Sequence, residues 1–205
     1  MSSCQIRNVV FDIGNVMVRW SPIEIIRLTF GDSSNHKALA ESIFHSELWR
    51  GLNRGEYTEQ EVKAQLQHLL DLPKEITESL FYYIRRTLIL LFGSTELLKK
   101  LIDAGYTTYA LTDNVIEIVD YLKKQYDFWD CFSGIIVSAE VGCLKPDAEI
   151  FNHLINQYQV DPQESVFIDD LSKNIEGSRR LGFSGIQFSD AVQCEQELKK
   201  LGLKF

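Results

Sequence analysis

The sequence predicts a three-layer α/β protein, a parallel sheet between helices, with an all-helical segment inserted after its first strand. Short runs rich in β-branched and aromatic residues recur with amphipathic, helix-length stretches between them. That alternation is what parallel strands joined by crossover helices require. Residues 21–92 are different, because helical patterns there follow one another with no strand between them. The chain therefore divides into a core of residues 1–20 and 93–205 and a helical unit of residues 21–92.

Taken in order, the strands fall at residues 6–11, 107–111, 134–137, 166–168 and 185–188. In the helical unit the amphipathic pieces are 23–30, 37–49, 59–70 and 74–86, and Gly31, Gly51, Gly55 and Pro73 punctuate them. Ser94 or Thr95 can cap a helix over 96–104 that Gly105 stops. Pro146 opens another, running to about residue 158, and 175–181 ends at Gly182. The charged run 195–200 reads as a solvated helix face.

With 205 residues, 45% of them hydrophobic, the chain can bury one sizeable core. A net charge of -8 repels polyanions, which argues against nucleic acid or an anionic membrane as partner and leaves small anions to a local basic focus. The four cysteines, Cys4, Cys131, Cys143 and Cys194, form no Cys-x-x-Cys pair, which fits neither a zinc site nor a disulfide framework. No apolar run approaches the ~20 residues of a spanning helix, and the N-terminus lacks the long apolar core of a secretory signal. The expected setting is a reducing cytoplasm, as a monomer or homodimer.

Four polar clusters stand at the C-terminal ends of predicted strands. They are Phe11-Asp12-Ile13-Gly14-Asn15, Leu111-Thr112-Asp113-Asn114, the segment 139–146 that ends in Lys145-Pro146, and Ile168-Asp169-Asp170. In an open parallel sheet all these ends face one crevice, where ligands bind. Any one of them has a plain structural explanation: Asp12 as a turn residue, Asp169 and Asp170 as helix caps, Lys145 as a solvated lysine, Thr112 as a strand former. Two adjacent carboxylates repel each other, however, so a nearby cation accounts for the acidic pair better. Phe44 and Trp49 read as core aromatics. His45, Arg50, Asn53 and Arg54 read as residues that face water more often than ligand.

In this order the four clusters resemble the four motifs of the haloacid dehalogenase superfamily, and together they span nearly the whole chain. The first, Phe11-Asp12-Ile13-Gly14-Asn15-Val16, is similar to a subgroup that includes phosphatases of sugar phosphates such as α-glucose 1-phosphate. The resemblance implies a Rossmann-like core, with the helical unit as a small cap whose signature Glu47-Leu48-Trp49-Arg50-Gly51-Leu52-Asn53-Arg54-Gly55-Glu56 resembles. It also implies Asp12 as nucleophile and Mg²⁺ held by Asp12, Asp169, Asp170 and the Gly14 carbonyl. Thr112, Asp113, Asn114 and Lys145 would then bind phosphate, and Asn15 and Asn174 would support the site. The chemistry is coherent, because a carboxylate can attack a phosphate dianion only when a metal and a lysine neutralise charge between them.

One position departs from that pattern. Where most phosphatases of the superfamily carry an aspartate that protonates the leaving oxygen, two residues after the nucleophile, this chain has Gly14. A general acid contributes about 10² to 10⁴ in rate. Its absence implies a substrate whose leaving group needs little protonation, a substitute such as Asn15, Asp113, His45 or Glu56, or a mutase-like transfer of the phosphoryl group. Two further readings remain: a phosphate-binding or interaction module without turnover, and a 2-haloacid dehalogenase, against which the retained acidic pair argues.

Overall fold

The computed structural model describes residues 5–32 and 35–205; Cys4 lies outside them. Five strands form one sheet: β1 (Asn8–Phe11), β2 (Thr107–Thr112), β3 (Gly134–Val137), β4 (Ser165–Asp169) and β5 (Ser184–Gln187), in the order β3-β2-β1-β4-β5. Every pairing is parallel, and β1 lies between β2 and β4, with Phe11 opposite Ala110 and Ile168. Val9, Val10 and Phe11 are buried on both faces, as a central parallel strand covered by helices requires. The order reverses between β1 and β4, which places a crevice at their carboxyl ends.

Five helices separate β1 from the next core helix: α1 (Pro22–Phe30), α2 (His36–Phe44), α3 (Glu47–Asn53), α4 (Glu59–Leu70) and α5 (Lys74–Thr87). The expected helix over 37–49 is in fact two, α2 and α3. The reason is local, since the Ser46 hydroxyl accepts the Trp49 N–H at 3.1 Å and so caps a new helix. A capping box between Thr58 and Glu61 starts α4 in the same way. α1 packs on α5 and α2, and α4 on α5. Their apolar faces, with Ile25, Ile43, Leu52, Val62 and Phe81, join the core cluster that covers the sheet.

The remaining helices are α6 (Ser94–Asp103), α7 (Ile116–Gln125), α8 (Ser138–Val141), α9 (Ala148–Tyr158), α10 (Ser172–Arg180) and α11 (Ala191–Lys200). Two starts differ from expectation. The residue before α6 is Gly93 in a left-handed conformation, so Ser94 lies inside the helix, and its hydroxyl donates to the Val16 carbonyl at 2.5 Å, tying α6 to the loop after β1. Pro146 stays in a loop packed on Gly177, where an added Cβ would meet the Pro146 oxygen at 2.7 Å, and α9 begins two residues later.

Helix α3 meets the core through Ser138, whose hydroxyl donates to the Asn53 carbonyl at 2.7 Å. Gly55 follows at φ +71, so close to the Ala139 oxygen that a Cβ would sit 2.2 Å from it. Among the described residues Cys131, Cys143 and Cys194 are free thiols, and burial pushes Cys143 and Cys194 up to about 11 and about 12. No helix of the described residues is long and apolar enough to cross a membrane.

Candidate active site

Strand ends bring the predicted residues together. Asp12 follows β1, Asp113 and Asn114 follow β2, Asp169 ends β4 with Asp170 next, and Lys145 comes from the loop between α8 and α9. A cavity of 610 Å³ opens over these ends, within the usual size for a small-molecule site. Asp12, Gly14, Asn15 and Lys145 line it, as do Asp113, Asn114, Asp170 and Asn174. Two of the expected residues do not. Thr112 closes β2 at 1% exposure, and Asp169 is fully buried behind the cavity wall.

Lys145 is the centre of the cluster. Its Nζ lies 2.8 Å from Asp12 Oδ1 and 2.8 Å from Asp169 Oδ2, and it donates to the Leu111 carbonyl at 3.2 Å. An ammonium has three protons, so all of its donors are engaged within the protein. Asp113 fixes the loop by accepting the Lys145 backbone N–H on Oδ1 at 3.0 Å. Burial opposes the lysine's charge, yet Asp12, Asp169 and Asp113 outweigh it and hold the ammonium well above its ordinary range.

The carboxylates are held from the other side. Asp12 Oδ1 also accepts the Ile13 N–H at 2.7 Å, leaving Oδ2 without a protein partner among the described residues. Asp169 is saturated, with Oδ1 accepting from Leu171 N and Asn174 Nδ2 and Oδ2 from Lys145 and Asn174, all at 2.8 to 3.0 Å. Asp170 Oδ2 accepts from Asn15 Nδ2 at 3.0 Å, and Asn15 in turn accepts the Trp20 N–H at 2.8 Å. Asn15 adopts φ 53, a left-handed conformation that asparagine tolerates better than most residues.

Oxygen atoms of Asp12, Asp169 and Asp170 all lie within 4.8 Å of one another, close enough to hold one ion. Three carboxylates face a single ammonium, so the cluster carries an excess of negative charge. Burial pushes the Asp12 carboxyl up, against the pull of Lys145, and the neighbouring Asp169 and Asp113 push the same way. Burial also raises Asp170 and Asp113. A hard divalent cation bound by oxygens would relieve this excess. Asn174 supplies a second indication, because its buried Oδ1 has no hydrogen-bond partner among the described residues and so suits a metal-bound water.

The helical unit contributes Phe44, His45, Trp49, Arg50 and Asn53 to the cavity. Of the cap residues considered from sequence, Arg54 is elsewhere engaged, in ion pairs with Glu47 and Glu56. Lining residues that the sequence did not disclose include Val18, Trp20, Leu88, Ile118 and Lys173. Only Lys173 carried a usable signal, as a cation three residues after Asp170. The apolar ones look like ordinary core positions.

The sequence profile of the haloacid dehalogenase-like hydrolases matches residues 6–182. The sesquiterpene phosphatase astK of Aspergillus oryzae is 28% identical over 192 residues, which cover 94% of this chain and 94% of that protein. The D-ribitol-5-phosphate phosphatase of Bacteroides thetaiotaomicron is 25% identical over 210 residues, 94% of this chain and 97% of that one. A haloacid dehalogenase family enzyme of Bacteroides thetaiotaomicron, solved with magnesium and inorganic phosphate, superposes with a TM-score of 0.74 at 21% identity, over 90% of this chain and 95% of that one. That likeness shows a common fold. With four strand-end clusters gathered in one crevice and a family match over most of its length, this chain belongs to the haloacid dehalogenase-like hydrolases.

Proposed function

We propose that the protein is a Mg²⁺-dependent phosphatase of small phosphorylated metabolites that works through an aspartyl-phosphate on Asp12. The observation that carries this reading is the convergence of Asp12, Asp169 and Asp170 around one potential ion site beside the fully engaged ammonium of Lys145. Full-length relatives named as phosphatases support it, as does a structural neighbour that holds magnesium and phosphate.

Asp12 and Asp170 would hold the cation with the Gly14 carbonyl, while the saturated Asp169 acts mainly by placing Lys145 and Asn174. When bound, Mg²⁺ supplies positive charge between the carboxylate and the phosphate oxygens. Asp12 attacks phosphorus, the ester P–O bond breaks, and the leaving oxygen takes its proton from solvent water to depart as the alcohol. Water then cleaves the acyl phosphate, releasing inorganic phosphate and restoring Asp12. Lys145 pulls Asp12 toward its ionised form, against the effect of burial, and adds positive charge near the phosphoryl group. Backbone N–H groups after β2 and the Asn114 side-chain amide would complete the phosphate contacts, whereas the Thr112 hydroxyl, buried outside the cavity lining, takes no part in them. Two classes are suggested for the alcohol part: sugar phosphates such as α-glucose 1-phosphate by the likeness of the first motif, and a sugar-alcohol phosphate or a sesquiterpene by the names of the two phosphatase relatives. The helical unit serves as the cap that closes over the crevice.

Phosphate release from acetyl phosphate and from a metabolite panel should require Mg²⁺ and stop on addition of a chelator. Full turnover in chelator, or chloride release from 2-chloropropionate, would sink the proposal.

Gly14 bears on the leaving group. A Cβ built there meets nothing closer than the Trp20 Cβ at 4.0 Å, so an aspartate can be accommodated. Gly14→Asp is expected to raise kcat on unactivated alkyl phosphates by at least about tenfold, with a smaller gain on acetyl phosphate, whose leaving group needs no proton. Equal gains on both substrates would show that no general acid is missing.

A further inference from the structure

Resting on the phosphatase reading, we infer that the alcohol part of the substrate is an apolar hydrocarbon body, received by an aromatic wall in the cap side of the cavity. Trp20, Phe44 and Trp49 touch one another in a closed triangle. Trp20 and Trp49 stack at 6.1 Å between centroids, and Phe44 meets them edge-on at 5.2 and 4.9 Å. All three line the cavity, and Val18, Leu88 and Ile118 extend the same apolar surface.

The wall begins beside the reacting atoms. Trp20 donates its backbone N–H to Asn15, whose amide holds Asp170, and Trp20 is also the first side chain that a Cβ on Gly14 would meet. An ester oxygen leaving phosphorus on this side would carry its carbon chain toward Trp20 and the rings packed against it.

Several polar groups at this end are already bonded within the protein. The Asn53 amide donates to the Trp49 carbonyl at 2.8 Å, Asn114 Oδ1 accepts the Val115 N–H at 2.9 Å, and Arg50 pairs with Glu47 at 3.5 Å. His45 and Lys173 also line the cavity and are exposed. A sugar brings a hydroxyl on nearly every carbon, and each one that is buried without a partner weakens binding. A hydrocarbon loses nothing polar here and gains about fourfold in affinity for each methylene removed from water.

The test compares n-octyl phosphate with glucose 6-phosphate, both primary alkyl esters, using acetyl phosphate as a substrate without an extended body. Octanol is the poorer leaving group of the two alcohols, so a preference for its ester cannot come from the chemical step. With Mg²⁺ present, kcat/KM for n-octyl phosphate should exceed that for glucose 6-phosphate by at least about tenfold, mostly through KM. Trp49→Ala should narrow this ratio by about tenfold. Should that variant fail to fold, Trp20→Ala, at a half-buried position, should narrow it as well, and n-octylphosphonate should compete with acetyl phosphate in the unmutated enzyme. Turnover of acetyl phosphate with glucose 6-phosphate equal to or better than the octyl ester would overturn the apolar body and leave the phosphatase reading intact. An unchanged ratio in a folded variant would overturn the aromatic wall. Absence of turnover on all three substrates would remove both readings together.

Discussion

Asp12→Asn is expected to lower Mg²⁺-dependent phosphate release by about 10⁴-fold or more, the scale seen when an enzymatic nucleophile is removed. The substitution is nearly isosteric, and its amide oxygen can still accept the bonds that Oδ1 takes from Ile13 N and Lys145 Nζ at 2.7 and 2.8 Å. What it removes is the anionic oxygen, which an amide cannot replace in attack on phosphorus. It also removes one negative charge from a cluster that holds an excess of them, so the variant should be no less stable than the parent. Steady-state kinetics at saturating Mg²⁺, paired with a thermal melt, separates the two effects. Activity within tenfold of the parent in a folded variant would place the nucleophile elsewhere.

Lys145→Met should be among the most destabilising single substitutions available in this chain. The ammonium is 1% exposed at the side chain and is shared by Asp12 and Asp169. Taking it away leaves two buried carboxylates without compensation, at a cost of about 3 to 5 kcal/mol. Since a domain is stable by only about 5 to 15 kcal/mol, the variant should lie near the edge of folding without metal. Adding Asp169→Asn removes one of the stranded charges, so the double variant should recover about 1 kcal/mol or more relative to Lys145→Met alone. Urea titrations at neutral pH, with and without Mg²⁺, read both quantities. A loss below about 1 kcal/mol in the single variant would show that the bridge contributes little.

The parts legible in the sequence were those where chemistry and fold coincide. Val9, Val10 and Phe11 announce a central parallel strand because both faces of such a strand are buried. Asp12, Asp113 and Asp170 are visible because each, explicable alone as a turn or cap residue, recurs straight after a strand, and strand ends of a parallel sheet share one crevice. Less visible was the division of labour between neighbours. Asp169 and Asp170 are equivalent as letters, but Asp169 is fully buried and saturated by four contacts, whereas the Asp170 carboxylate accepts from Asn15 and lines the cavity. Thr112, singled out for its hydroxyl, is buried at the end of β2 outside the cavity lining.

The break between α2 and α3 was illegible because the amphipathic pattern runs through it, and one serine hydroxyl decides the capping. The aromatic wall was hidden for a more general reason. Trp20, Phe44 and Trp49 have the composition of a core, and only the fold shows that a cavity adjoins them. Polar residues betray a site by being out of place, but apolar lining does not.

The most direct test of the central claim, that Asp12 attacks phosphorus beside a cation it shares with Asp170, is to locate the phosphoryl group during turnover. The enzyme would be mixed with ³²P-labelled acetyl phosphate, quenched in acid within the first turnover, and digested for peptide mapping. The account predicts label on the peptide containing Asp12, dependent on Mg²⁺ and sharply reduced in Asp170→Asn. Label on any other residue, or label on Asp12 formed equally well in chelator, would contradict it.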